Sequence, residues 1–177
     1  TQPLWGLDYD YWIIKLDFLG NKQWDKRFGG INYDGLTTLE QTIDGGYILG
    51  GQSDSGLSGD KTQNSRGSLD YWIIKIDSVG NKQWDKRFGG FDDEYLSSVQ
   101  QTSDCGYILG GSSYSGINGD KTQPNWKPSR KTYDYWIVKT DSVGIKQWDK
   151  RFGGISFDYF SSLQQTKDGG YILGGSS

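Results

Sequence analysis

Three carboxylates stand side by side at Asp92, Asp93 and Glu94. Glycoside hydrolysis uses paired carboxylates, one as acid and one as base or nucleophile. The chain repeats, however, and the equivalent positions read NYD and SFD, which favours a solvated loop. A second set of candidate oxygen ligands lies in DSGLSGDKT (Asp54–Thr62) and YSGINGDKT (Tyr114–Thr122). Asp54, Asp60 and Asp120, with Ser, Asn and backbone carbonyls around Gly, are oxygens of the kind Ca2+ takes. Their spacing matches neither an EF-hand nor a nonapeptide calcium repeat, so a polar turn stands beside calcium as the reading. No other cofactor is expected. Three rings, Trp5, Tyr114 and Trp126, lie outside the repeated framework, in the segment that differs most between copies. Variable loops on a rigid scaffold are where recognition usually resides. These rings are the candidate ligand contacts; the alternative is a loop Trp folded back on its own unit.

Other chemistry is narrowed by what the chain lacks. It has no His, which removes the commonest general base and metal ligand and the usual Ser or Cys triads. A single Cys, Cys105, rules out an internal disulfide and a Cys-based zinc site. The formal net charge is −3, which argues against nucleic acid, because phosphate wants a basic face. No apolar run approaches membrane-spanning length. Only 33% of the residues are hydrophobic, yet 15% are aromatic, so rings must fill the core. The first residue is Thr1, which suggests a processed or excised piece.

The elements that position these residues follow from a repeat. KQWDKRFGG occurs unchanged at Lys22–Gly30, Lys82–Gly90 and Lys146–Gly154. Trp24, Trp84 and Trp148 are thus 60 and 64 residues apart (84 − 24 and 148 − 84), the extra four lying in one loop. Each unit reads as four short strands. LTTLEQT, LSSVQQT or FSSLQQT is the first and YILGG the second. After a long polar loop, DYWIIKLD, DYWIIKID or DYWIVKTD is the third and KQWDKRFGG the fourth. Asp-Gly and Gly-Asn pairs between such runs are hairpin signals. No helical periodicity is sustained.

Four strands in about 60 residues, repeated, predict an all-β chain of β-propeller blades. In the third strand, Trp12, Ile14 and Leu16 alternate with Tyr11, Ile13 and Lys15, as suits a strand buried on both faces. The small, polar first strand suits a crowded inner wall. The single repeat domain 1–177 divides into a half blade (1–30), blades at 31–90 and 91–154, and a second half blade (155–177). That makes three blade equivalents. Two chains closing head to tail as a homo-oligomer, or a longer propeller of which this is a segment, would each complete the half blades.

Within KQWDKRFGG, Trp24, Trp84 and Trp148 are expected to dock between blades, with the Asp and Arg pairing along an outer strand. A repeated stacking Trp for a sugar or peptide is the sharper alternative. Trp12, Trp72 and Trp136 are the matching packing residues of the third strand. In T-x-D-G-G-Y, Asp44, Asp104 and Asp168 are expected to bond to their own turn, with φ > 0 at the residue that follows.

The combination DYWIIKLD, SVGNKQWDKRFGG and TSDCGYILGGSS resembles the repeat of many secreted and surface proteins of the Bacteroidetes, exported by type IX secretion. The resemblance spans essentially the whole chain. It implies a propeller-like fold, a secreted or cell-surface location and contact with the secretion machinery, without an established enzymatic activity. The expected function is a non-catalytic binding or structural module for a protein or glycan ligand. A carbohydrate-binding propeller is the alternative, and a glycosidase or lyase a more remote one.

Overall fold

A computed structural model describes residues 9–127 and 132–177. Among these residues the all-β expectation holds: there are twelve strands and no helix. Four antiparallel sheets form in chain order. The first pairs β1 (Tyr11–Leu16) with β2 (Lys22–Phe28). The second contains β3 (Asp34–Gln41), β4 (Tyr47–Ser53), β5 (Asp70–Ile76) and β6 (Lys82–Phe88). The third repeats it with β7 (Glu94–Gln101), β8 (Tyr107–Ser113), β9 (Asp134–Thr140) and β10 (Lys146–Phe152). The fourth pairs β11 (Tyr159–Gln165) with β12 (Tyr171–Ser176). No barrel closes among the described residues; the sheets stand as separate meanders.

Each hairpin is written in its turn residues. Asp77 Oδ1 accepts the N–H groups of Val79 and Asn81, and Gly80 takes φ +84°. At the other turn, Asp44 Oδ1 accepts Gly46 N–H while Gly45 takes φ +81°. Cys105 holds the equivalent place at φ +64°, the only positive-φ residue other than Gly among those described.

β5 explains how the sheets stack. It is buried along its whole length. Trp72, Ile74 and Ile76 face the first sheet, packing with Tyr11, Ile13 and Phe28. Tyr71 and Ile73 face the third, packing with Leu96, Trp136 and Val138. A strand covered on both sides has no solvent-facing side, so apolar residues fill both faces, and its polar Asp70 and Lys75 are buried with them. Full burial of each Ile contributes roughly 1.5–3 kcal/mol.

Two repeated contacts join neighbouring sheets. The Tyr71 hydroxyl donates to Trp136 O of the third sheet at 3.1 Å, and the Tyr11 hydroxyl donates to Trp72 O at 2.9 Å. Gly51 and Gly111 leave room for these hydroxyls; a Cβ at Gly111 would lie 2.5 Å from the Tyr71 oxygen. The motif Trp residues supply the second contact. Trp24, Trp84 and Trp148 set their rings edge-on to Tyr47, Tyr107 and Tyr171 of the following sheet, at 6.1, 5.6 and 6.0 Å.

The motif's Asp and Arg do not pair along the outer strand. Asp85 turns inward, nearly buried, and accepts the Trp72 indole N–H together with the Thr62 N–H and hydroxyl. Arg87 instead reaches Asp120 in the loop of the next unit. The indole N–H needs an acceptor once it is buried, and only the neighbouring strand offers one.

Candidate functional site

Where the copies agree, the residues pack. They differ most in the long loops and the segments bonded to them. All the long loops leave the same end of the sheets, after β4 and β8 and before β5 and β9. There the backbone joins in a repeated way: Asp54 N–H donates to Tyr33 O, and Tyr114 N–H donates to Asp93 O, at 3.1 and 2.9 Å. Likewise Glu94 N–H donates to Leu69 O and Asp158 N–H to Tyr133 O. The side chains on this common backbone are not common. Leu69 is replaced by Tyr133, Asp93 by Phe157, and Asp54 by Tyr114.

The result is a cluster of five rings centred on Tyr133. Tyr114 lies against it at 3.6 Å between centroids, Tyr95 edge-on at 5.6 Å, and Tyr159 at 5.6 Å. Phe157 is 6.0 Å from Tyr133 and nearly parallel to Tyr159. Phe157 and Tyr159 are about half exposed. Burial, with the Tyr114 and Tyr95 hydroxyls beside it, pushes the Tyr133 phenol well up, so it stays neutral at ordinary pH. Beside the cluster lies a cleft of about 380 Å³, shared by Tyr114, Ser68, Phe91, Asp92 and Asp93. Asp93 Oδ1 is buried without a hydrogen-bond partner. The cleft thus sets the Tyr114 ring of the cluster and Phe91 beside Ser68 and the acidic pair Asp92 and Asp93.

A buried Lys stiffens each loop. Lys61 Nζ donates to Ser53 Oγ, Ser55 O and Ser65 Oγ at 2.6–2.7 Å. Lys121 donates to Ser113 Oγ, Ser115 O and Asn125 Oδ1. Burial brings each ammonium down to about 8. Sequence reading overlooked these lysines; the GDKT shared by two otherwise divergent loops was the signal.

The expected contacts fare differently. Tyr114 is part of the ring cluster. Trp126 is exposed, but its ring lies under the Arg151 guanidinium and its N–H donates to Asp134 Oδ2, so its contacts belong to its own sheet. Trp5 falls outside the described residues. Among the packing residues, Trp72 and Trp136 are fully buried, whereas Trp12 in the two-stranded first sheet is 53% exposed.

The acidic residues are dispersed. Asp120 faces Arg66 and Arg87, and Asp60 Oδ2 accepts Gly29 N–H. Asp54 Oδ1 is buried without a partner. Among the described residues no three of His, Cys, Asp and Glu converge to hold a metal. Glu94 is separated from Asp92 and Asp93: it turns into the interior, where it accepts Gly90 N–H and the Ser113 hydroxyl, and burial pushes it up to about 7.

A larger recess of about 630 Å³ opens at the opposite end, between the first hairpin turns. Its polar groups are engaged between sheets: Gln101 Oε1 accepts Ile43 N–H, and Glu40 Oε2 accepts Gln101 N–H, both at 2.8 Å. The same clasp recurs where Gln165 Oε1 accepts Ser103 N–H.

No family model matches the chain. It is similar to the regulatory protein FlaEY of Caulobacter vibrioides, with 28% identity over 94 residues, which is 51% of this chain and 10% of that protein. The chain therefore spans only a small part of that relative's length. No described helix is long and apolar enough to cross a membrane.

Proposed function

We propose that the four sheets are blades and partial blades of a β-propeller that serves as a non-catalytic, secreted or surface-displayed binding module. The ligand class that suits the site best is a glycan. The observation carrying this reading is the ring cluster at Tyr133 beside the cleft of Tyr114 and Asp93. Half-exposed aromatic rings suit the apolar C–H faces of a sugar, and carboxylate oxygens suit its hydroxyls. The framework that repeats is occupied with packing, so the rings at the loop ends are left for recognition: the five at Tyr133, and the smaller Tyr9–Tyr33 pair beside a cleft of about 410 Å³ between the first two sheets. Catalysis by paired carboxylates has no support from Glu94, which is buried away from its neighbours.

A glycan array tests this directly. The wild-type chain should give a restricted set of hits, and Phe157→Ala and Tyr159→Ala should lose them. Both rings are half exposed, so neither change threatens the fold. An empty array, or hits untouched by both changes, would sink the glycan reading.

A further inference from the structure

The outer edges of the first and fourth sheets match each other. Among the described residues β1 pairs only with β2, and β12 only with β11. In the complete sheets the equivalent strands are neighbours, β4 with β5 and β8 with β9, in the same register. We propose that β12 of one copy pairs with β1 of a second copy, and reciprocally, so that two chains close on each other. Transferring the register sets Tyr171 opposite Leu16, Leu173 opposite Ile14, and Gly175 opposite Trp12.

Four features of the two edges fit a second copy as the occupant. First, apolar groups that are covered in the complete sheets are open here. Ile172 is 62% exposed, whereas Ile48 and Ile108 are fully buried; Trp12 is 53% exposed, whereas Trp72 and Trp136 are fully buried. Second, a charge pair is split. Lys75 Nζ bonds to Asp44, Ile76 O and Gln83 Oε1, and Lys139 repeats this with Asp104. Lys15 keeps the backbone and Gln bonds, to Leu16 O and Gln23 Oε1, but has no carboxylate among the described residues. Asp168, the equivalent of Asp44, keeps its turn bonds, and no cation pairs with it among the described residues. The proposed register joins them. Third, the Tyr11 and Tyr71 hydroxyls each donate to the carbonyl of a Trp in the next sheet. The Tyr135 hydroxyl lies close to Gly175 with no such acceptor among the described residues, and Trp12 O of the second copy would supply it. Fourth, an open edge with apolar faces on both sides favours strand addition.

The pairing rests on the repeat alone; closure by two copies rests on the propeller reading. The test is the mass of the 177-residue chain by sedimentation equilibrium, with far-UV circular dichroism on every variant. Twice the chain mass is expected. Ile172→Arg should return a single-chain mass with an unchanged spectrum. Asp168→Lys should weaken association at least about tenfold, and adding Lys15→Asp should restore it, because like charges face each other in the single change and opposite charges in the double. A single-chain mass for the wild type overturns the pairing, even where glycan binding persists. A ladder of longer assemblies overturns the two-copy closure. A doubled mass indifferent to all three variants shows a different interface and also overturns the proposal.

Discussion

The Trp72 indole donates to Asp85 Oδ2 at 3.0 Å across thirteen residues of chain, and Trp136 does the same to Asp149. Each carboxylate also closes the GDKT loop through the N–H and hydroxyl of Thr62 or Thr122. One buried group therefore holds a core ring, a strand and a loop together. Removing it leaves several buried donors unpaired. Asp85→Ala should lower unfolding stability by on the order of 3 kcal/mol. The equivalent Asp25 receives Trp12 at 3.3 Å in an exposed setting, so Asp25→Ala should cost clearly less than Asp85→Ala. Urea denaturation of both variants checks the contrast; equal losses would contradict it.

The two hairpin carboxylates Asp44 and Asp104 are held at about 2, first by the Thr42 or Thr102 hydroxyl and next by Lys75 or Lys139. A depressed acid stabilises the fold above its ordinary value and loses that contribution as pH falls through the folded value. Melting temperatures should therefore drop between about pH 4 and pH 2, and Asp44→Asn with Asp104→Asn should flatten that limb. Both groups are half exposed, so the effect is modest and shrinks in salt.

Glu94 works in the opposite direction. Burial raises it from 4.5 to about 7, so between those values the folded chain binds more protons than the unfolded one. Stability should rise as pH falls through that window, by at most about 3 kcal/mol. Glu94→Gln should remove the slope while keeping acceptors and donors for Gly90 and Ser113. Denaturation at pH 7.5 and pH 5 reads the difference; a slope retained in the variant would assign it to another group.

Cys105 occupies a left-handed turn position that Gly fills in the other two copies, Gly45 and Gly169. A side chain there carries a steric cost of about 1–2 kcal/mol, partly offset by the greater freedom of Gly in the unfolded chain. Cys105→Gly should stabilise by up to about 1 kcal/mol. A lower melting temperature would show that the thiol makes a contact that outweighs the strain.

The strands and turns were readable in the sequence because each unit states them again. Two-residue alternation in the DYW strand and Asp-Gly turns leave little choice of element or face. The inward turn of Asp85 was not readable, since an alternating Asp and Arg on one strand face suggest each other as partners. Only the burial of the Trp72 indole decides which acceptor the Asp becomes. The binding candidates were half readable. Tyr114 stood out as a ring outside the framework, but Tyr133, Phe157 and Tyr159 are separated in sequence and meet through the backbone bonds between Tyr133, Asp158 and their neighbours. Trp126 looked equivalent to Tyr114 by composition; the Arg151 guanidinium over its ring separates them.

On the proposed function the copy-specific rings bind while the repeated Trp framework packs. Isothermal titration of the strongest array glycan tests it most directly, using wild type, Tyr159→Ala and Trp126→Ala. Tyr159→Ala should weaken binding about tenfold or more, the loss of an aromatic stacking contact of roughly 1.4 kcal/mol, and Trp126→Ala should change it less than about twofold. Unchanged affinity in Tyr159→Ala, or loss of binding in Trp126→Ala alone, would contradict it.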